Sequence, residues 1–168
     1  MVMLRMPSTS SNVSDDVKPR KNRFRSAGAL AGKVQGLTLF AEQLDTPIGL
    51  LVITHDGKAL WNVAFADREE RRAGELSRHA PGARVSPLAK ASRFARALKA
   101  YFAGDLAAID GLPVADMGTP FQRSAWKGLR DIPAGTTRSY GEQATLIGHA
   151  GAARAVGHAN GQNPVSIV

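Results

Sequence analysis

Residues 119–168 of the chain read TPFQRSAWKGLRDIPAGTTRSYGEQATLIGHAGAARAVGHANGQNPVSIV. The stretch opens with Thr119, a residue type that caps helices, and Pro120, which is favoured in the first helical turn. Apolar residues then recur at helical spacing until Pro133 interrupts the pattern; they are Phe121, Ala125, Leu129 and Ile132. The spacing predicts a packing helix, with Phe121 and Trp126 as core residues.

Two shorter helices are predicted next. Ser139-Tyr140-Gly141-Glu142 has the form Ser-x-x-Glu, in which the serine caps a helix start and the glutamate reaches back to the serine amide. Gly148 can take the left-handed conformation that closes this helix. A second helix spans residues 152–159, and Asn160-Gly161 is expected to close it in the same way. Two short helices around a glycine-containing turn predict a helix-turn-helix.

The second of these helices carries one long cation, Arg154, among small residues. Direct readout of base edges in the major groove needs several Arg, Asn, Gln or Lys side chains on the exposed face. This helix instead predicts close approach to a groove with little sequence preference. Arg154 is suited to enter the base stack in place of a nucleotide that has been turned out, as chemistry on a base requires. Tyr140, beside the cap of the first helix, is suited to crowd a phosphate.

Several groups of residues in the last third of the chain resemble a known family. They are Phe121-Gln122 with Trp126, Ile132-Pro133-x-Gly135-x-Thr137-x-Ser139-Tyr140, Ala153 to Gly157 with Ala159-Asn160, and Asn163 to Val168. Together they resemble the methylated-DNA-protein-cysteine methyltransferases, the suicide repair proteins that take an alkyl group from the six-position oxygen of guanine. The resemblance is dense over this third and thinner over residues 37–118.

The resemblance implies roles for individual residues. Tyr140 is expected to push on the target phosphate, and Arg154 to fill the gap left by the flipped base. Asn163, with Pro164, is expected to brace the turn between the recognition helix and the active site. The predicted DNA-binding residues are Tyr140, Arg154, Ser139, Gln122 and Ala153. The implied partner is double-stranded DNA that contains alkylated guanine, and no cofactor is implied.

The family's alkyl acceptor is a cysteine, and the sequence contains none. In the family the Asn-Pro turn and its apolar run lead into Pro-Cys-His-Arg, whereas this sequence stops at Val168. Attack on an alkyl carbon needs a thiolate, generated by a neighbouring base. No catalytic residue is therefore present, and the nucleophile is expected just beyond Val168. Without that cysteine, the chain is expected to bind alkylated DNA but not to accept the alkyl group.

Charge is distributed unevenly along the chain. Residues 1–36 have a balance of +5, residues 37–118 a balance of 0, and residues 119–168 a balance of +3. Because phosphate neutralisation releases counterions, this distribution favours a polyanion partner. The first 36 residues have little periodicity and predict a disordered basic tail. No apolar segment reaches transmembrane length, so a cytoplasmic protein is expected, associated with the nucleoid if bacterial. A monomer is also expected.

The middle of the chain predicts a sheet. Three strand-like runs, Leu37–Leu44, Leu50–Thr54 and Ala59–Phe65, indicate an antiparallel meander, with Asp56-Gly57 supplying the hairpin turn between the last two. The four histidines, His55, His79, His149 and His158, show no metal-ligand spacing, so no metal is expected.

Two helices are predicted beside this sheet. Asp67-Arg68-Glu69-Glu70 has the form of a capping box and should open a charged helix that ends before Pro81-Gly82. Apolar residues from Leu88 to Phe102 share one face of a second helix, which Gly104 ends and which should lie against the sheet. Residues 107–118 then have the composition of a connector.

The predicted organisation is α+β. The resemblance implies a small ribonuclease-H-like N-terminal domain, built of a three-stranded antiparallel sheet plus helices, over residues 37–114. A linker is placed at 115–118, and a helical, winged-helix-like helix-turn-helix domain at 119–168.

Two other functions are compatible with the residues. One is an alkyltransferase-like protein that flips the damaged base without transfer. The other is a helix-turn-helix regulator, which would bind a spaced palindrome as a dimer. Independently of function, Val165, Ile167 and Val168 are expected to enter a buried position.

Overall fold

The structure is a computed structural model that describes residues 2–3 and 36–167. Most of the predicted basic tail, residues 4–35, and Val168 lie outside the described residues. The strands are β1 (Val2–Met3), β2 (Thr38–Thr46), β3 (Gly49–His55), β4 (Leu60–Phe65), β5 (Arg84–Pro87) and β6 (Arg138–Ser139). The helices are α1 (Glu69–His79), α2 (Arg93–Phe102), α3 (Pro120–Arg130), α4 (Tyr140–Leu146) and α5 (Ala153–Gly161). None of the described helices is long and apolar enough to cross a membrane.

The main sheet has four strands in the order β4-β3-β2-β5. The predicted antiparallel meander is confirmed in β2, β3 and β4. The fourth strand, β5, pairs in parallel with the start of β2 and was not predicted. It is only four residues long, ends in proline and lies at the edge of the sheet, so it lacks an alternating pattern that would reveal it. A separate two-stranded ladder joins β1 to β6.

The hairpin between β3 and β4 turns at Asp56-Gly57 as predicted. Gly57 has φ +86°, and the Asp56 Oδ1 atom accepts hydrogen bonds from the amides of Lys58 (2.8 Å) and Ala59 (2.7 Å). Burial by itself raises the pKa of Asp56, but the amide donors outweigh burial and hold the pKa below its ordinary value. The carboxylate is therefore a fixed part of the turn.

The predicted capping box at Asp67 is wrong. A 3₁₀ turn over Ala66–Arg68 leads into α1, whose N-cap is Arg68 and receives no side-chain hydrogen bond. Asp67 lies inside that turn, where its exposed carboxylate lies 3.8 Å from Arg68 Nε. The carboxylate is therefore one position too early to cap the helix. The end of α1 at His79, before Pro81, is as predicted.

Helix α2 begins five residues later than predicted. Ser92 is its N-cap, and the serine Oγ accepts from the amides of Phe94 and Ala95. Buried Glu42 of β2 accepts from both the hydroxyl and the amide of Ser92, which fixes the start of the helix. Leu88 instead donates its amide to Ala41 and so continues the β2–β5 pairing. The helix ends before Gly104 and packs against the sheet, as predicted.

The predicted connector is part of the core. Ile109, Leu112 and Met117 are buried in the same cluster as Ile53 and Phe94 of the sheet domain. The connector also extends the sheet edge, because Leu60 of β4 exchanges backbone hydrogen bonds with it.

The chain returns to the sheet after α5. Val63 of β4 donates its amide to the carbonyl of Pro164 (2.9 Å), and Val63 and Val165 form a parallel bridge. Val165 is 1% exposed and belongs to the main core cluster, with Ile167 packed against it. The predicted burial is confirmed for Val165, whereas Ile167 is partly buried and Val168 lies outside the described residues.

The predicted N-cap at Thr119 and the predicted capping box at Ser139 are confirmed, and Thr119 forms a capping box as well, with Gln122. The predicted closure of the last helix at Asn160-Gly161 is wrong. These residues lie inside α5, which runs to Gly161, and Gly161 does not have a positive φ. No left-handed residue is needed there, because the amides of Gln162 and Asn163 bind the last carbonyls of the helix.

Candidate nucleic-acid interface

Arg154 is the second residue of α5 and is exposed. Its neighbours on the helix are small: Ala153 is half-buried and Ala155 is exposed, while Val156 faces the core. The guanidinium has no hydrogen bond or ion pair to any residue that the structure describes. It is therefore a cation on a smooth surface, able to reach outward.

Tyr140 is the first residue of α4 and is half-buried. Its ring lies against Gly157 of α5, so closely that a Cβ atom on that glycine would be 2.9 Å from Tyr140 Cε2. The tyrosine is thus held between the two helices of the helix-turn-helix. The glycine is required by this close approach, since its φ is ordinary.

Ser139 is the N-cap of α4 and forms a reciprocal pair with Glu142. The serine Oγ accepts from the Glu142 amide (3.2 Å), and the glutamate Oε2 accepts from the Ser139 hydroxyl and amide, each at 2.7 Å. The hydroxyl bond, followed by the amide bond and the charge of Arg138, holds the pKa of Glu142 below its ordinary value. Ser139 is consequently committed to the cap in this structure.

Gln122 lies at the other end of α5 from Arg154. Its Oε1 atom accepts from the Thr119 amide (2.8 Å), and its Nε2 atom donates to Gln162 Oε1 (2.6 Å). Gln162 in turn contacts His158 at 3.1 Å between side-chain nitrogens. The structure brings Tyr140, Ser139, Ala153 and Arg154 to the amino-terminal ends of α4 and α5, and places Gln122 elsewhere.

Asn163 is 7% exposed and forms the turn that comes after α5. Its Oδ1 atom accepts from the Val165 amide (3.0 Å), and its carbonyl accepts from the Ser166 hydroxyl (3.0 Å). With Pro164 bound to β4 through its carbonyl, this turn is fixed at both ends.

Sequence reasoning missed the buried amides that join the three helices. Gln143 of α4 donates to the Ala125 carbonyl of α3 (2.7 Å) and accepts from Asn160 Nδ2 of α5 (2.8 Å). Trp126 donates its indole N–H to the Ala159 carbonyl (2.8 Å). The available signal was a glutamine on the apolar side of α4, at a position where a core residue is expected.

The described residues hold no group of three His, Asp or Glu side chains able to bind a metal ion. The features that remain are two short helices, the first of them capped, an exposed arginine on a surface of small residues, and a tyrosine packed at the helix junction. With the small sheet domain that supports them, they define a helix-turn-helix DNA-binding protein.

Comparison with known proteins identifies the family. Residues 39–115 match the ribonuclease-like domain of 6-O-methylguanine DNA methyltransferase, and residues 120–168 match the DNA binding domain of the same family. The chain therefore belongs to the 6-O-methylguanine DNA methyltransferase family. The predicted α+β organisation, a ribonuclease-like sheet domain followed by a helical DNA-binding part, is confirmed.

Relatives are similar to the chain over most of its length. The methylated-DNA–protein-cysteine methyltransferase of Shigella flexneri is 44% identical over 135 residues, which cover 79% of each chain. That of Mycolicibacterium paratuberculosis is 45% identical over 127 residues, which cover 74% of this chain and 71% of the relative. The solved Mycobacterium tuberculosis O6-methylguanine methyltransferase superposes with a TM-score of 0.60 at 38% identity, covering 77% of this chain and 73% of that one. A structure of the M. tuberculosis protein in complex with DNA has a TM-score of 0.58 at 37% identity, with the same coverage of both chains.

Proposed function

We propose that this protein recognises guanine alkylated at the six-position oxygen in double-stranded DNA, and that it does so by turning the damaged base out of the duplex. In the repair reaction of the family the alkyl group passes to a cysteine. The 168 residues include no cysteine, so we propose that they supply recognition without the acceptor. The protein would act as a monomer in the cytoplasm, on nucleoid DNA if it is bacterial.

The observation that carries this proposal is the surface of α5 around Arg154. Alanine side chains on both sides of the arginine let the helix approach a groove closely, and the guanidinium has no partner among the described residues to hold it back. A planar cation that enters the stack replaces the contacts of the extruded nucleotide and keeps the gap open. A protein that recognises a specific base sequence would need more polar side chains on this face of the helix.

Tyr140 supplies the main contact to the backbone of the target strand, and Ser139, whose side chain is bound within the α4 cap, has a secondary role there. Tyr140 is fixed against Gly157, so a phosphate that meets its ring meets a surface that does not give way. Ser139 and the first amides of α4 lie at the same helix start, and Ala153 permits close approach beside Arg154. We assign Gln122 a weaker role in DNA contact, because its amide is already bound to Thr119 and Gln162.

The turn at Asn163-Pro164 supports the recognition helix from behind. The Asn163 side chain closes the turn, and the Pro164 carbonyl binds β4. The segment from Val165 onward is thereby held at a fixed position relative to α5.

The test compares binding to two duplexes that differ only in one methyl group on guanine. We expect Arg154→Ala to weaken binding to the methylated duplex about tenfold, because a tenfold change corresponds to roughly 1.4 kcal/mol, within the cost of one lost stacking group. Binding to the plain duplex should change about twofold or less, as for one surface phosphate contact. Lys127→Ala, which removes an exposed cation of α3, is the control and should affect both duplexes equally. If Arg154→Ala lowered the affinity for the methylated and the plain duplex equally, Arg154 would be only a phosphate contact and the proposal would be contradicted.

The absence of cysteine favours a second candidate, an alkyltransferase-like protein that binds the lesion and leaves it intact. Both candidates predict that the intact 168-residue chain gains no methyl group, and mass measurement after incubation with methylated DNA tests this shared expectation. An unchanged mass together with preferential binding is expected. A methyl adduct on the protein would contradict this assignment, because it would show an acceptor other than a thiol.

A further inference from the structure

A buried carboxylate of the sheet domain lies next to the recognition helix. Glu75 of α1 is 7% exposed, and both of its oxygens are occupied. Asn62 Nδ2 of β4 donates to Oε2 (2.7 Å), and Arg71 Nε donates to Oε1 (2.8 Å). A buried carboxylate needs such partners, because an unpaired charge is costly away from water.

Arg71 extends these contacts to α5. While its Nε atom binds Glu75, its Nη2 atom donates to the carbonyl of Gly161, the last residue of α5 (3.0 Å). Only a planar guanidinium offers two donors in this fixed arrangement. We call the series Asn62, Glu75, Arg71 and Gly161 the α1–α5 hydrogen-bond chain.

The position of the contact on α5 is significant. The last carbonyls of a helix lack intrahelical partners and carry the negative end of the helix dipole, so a cation is favourable there. Arg71 occupies that place from the sheet domain, whereas the neighbouring Trp126 contact comes from α3. The Arg71 side chain is 55% exposed, so its ion pair adds little to global stability. Its main effect is on where the end of α5 lies.

We propose that Arg71, oriented by Glu75 and Asn62, is a positioning residue for the recognition helix. Gly161 is seven residues beyond Arg154, which places the two about 10 Å apart along the helix axis. A shift at the Gly161 end therefore tilts α5 and moves the guanidinium of Arg154. This inference rests on the proposed function, because it treats damage discrimination as the property that α5 delivers.

The variants that test it are Arg71→Ala and Arg71→Lys, with Arg78→Ala as the matched control. Arg78 is on the same helix, has the same charge and is exposed. The first measurement needs no DNA: hydrogen exchange of the amides of Gln162, Asn163 and Val165, all of which are hydrogen-bonded at the end of α5. We expect exchange about tenfold faster in Arg71→Ala and unchanged in Arg78→Ala, since only the former removes a contact to this segment.

The second measurement is the ratio of affinities for the methylated and plain duplexes. We expect Arg71→Ala to lower the ratio about fivefold with the plain-duplex affinity unchanged, and Arg71→Lys to restore part of it, because lysine keeps the charge at the helix end but not the fork. Thermal unfolding should remain cooperative in all variants, which excludes general loss of structure, and a modest decrease in midpoint is expected for Arg71→Ala, because Glu75 loses its cation but keeps its bond to Asn62.

The outcomes are distinguishable. Faster exchange with an unchanged affinity ratio would make Arg71 merely structural and overturn the positioning role, as would equal behaviour of Arg71→Ala and Arg78→Ala. If the unmodified protein shows no preference for the methylated duplex, the proposed function fails. The positioning role in damage recognition then falls with it, even where exchange shows that Arg71 holds the end of α5.

Discussion

The two halves of α5 differ in what holds them. The amino-terminal half carries Arg154 on an exposed face and touches the rest of the protein mainly through Val156 and Gly157. The carboxyl-terminal half has Asn160 buried and its carbonyls bound by side chains from both the sheet domain and α3. A nine-residue helix is too short to be stable by itself, so tertiary contacts must supply its stability. Concentrating those contacts at one end leaves the other end free for a ligand.

The largest expected effect on stability comes from the carboxyl-terminal half of α5, called here the fixed half; the amino-terminal half is the free half. Gln143→Leu keeps the side-chain volume but removes the acceptor of Asn160 and the donor to Ala125. Because buried polar groups then lose their partners, we expect the free energy of unfolding to fall by about 2–3 kcal/mol. Chemical denaturation measures this change. Gln43→Leu, on the exposed face of β2, is the control and should change it by about 0.5 kcal/mol or less. A loss below that of the control would show that the buried amides do not hold the helix.

The next effect concerns the boundary between the halves. Gly157→Val places a branched side chain where a Cβ alone would be 2.9 Å from the Tyr140 ring. Overpacking should lower the free energy of unfolding by about 1–2 kcal/mol and displace the tyrosine. The same substitution at Gly161, where a Cβ meets no atom within 4 Å, is the matched control and should be close to neutral. Equal effects at the two glycines would contradict the close contact between the tyrosine and α5.

A smaller effect on stability is expected from pH, through His79 of α1, which contacts the tryptophan that binds the fixed half of α5. Burial lowers the pKa of His79, whose ring meets Trp126 edge-on at 6.2 Å, and the charge of Arg78 lowers it further while Glu75 opposes the shift. The unfolded chain binds this proton more readily than the folded chain. The contribution of neutral His79 to the free energy of unfolding is therefore fully present above the ordinary histidine pKa of about 6.5, and it decreases as pH falls below that value.

Denaturation curves between about pH 7.5 and 5.5 bracket the ordinary histidine pKa and test this dependence. His79→Gln should reduce the slope of the free energy of unfolding against pH, whereas His149→Gln, in the exposed loop before α5, should leave that slope unchanged. A slope that survives in His79→Gln would assign it to other groups.

The smallest effect on stability is expected in the free half. Arg154→Ala should change the free energy of unfolding by about 0.5 kcal/mol or less, since the side chain is exposed and replaced by a better helix former. The same variant should show the largest loss of damage discrimination. A marked destabilisation would mean that Arg154 is part of the packing and that the two halves do not differ as described.

Several features encoded by residues close in sequence were predictable, although the capping box expected at Asp67 and the helix closure expected at Asn160-Gly161 were wrong. The capping boxes at Thr119 and Ser139 depend on residues three positions apart, and the Asp56-Gly57 turn on two adjacent ones. The resemblance in the last third added the proposed roles of Arg154 and Tyr140, which lie in the first turns of α5 and α4.

Contacts between distant residues were not predictable. The start of α2 depends on Glu42, fifty residues before Ser92. The end of α5 depends on Arg71, ninety residues before Gly161. No local pattern contains such pairs, so the sequence predicted where α5 lies along the chain but missed what holds it.

The bridge between Val63 and Val165 has a consequence for self-association. Strand β4 is an outer strand of its sheet, and an uncovered outer strand offers unpaired amides to any neighbouring chain. The segment after α5 occupies that edge by taking the Val63 amide. A polypeptide cut just before α3 would keep the pairing of Leu60 with residues 113–115 but would leave the Val63 amide without its partner, and this part of the edge would favour pairing with another chain. By covering this edge, the carboxyl-terminal segment protects the preceding domain from self-association.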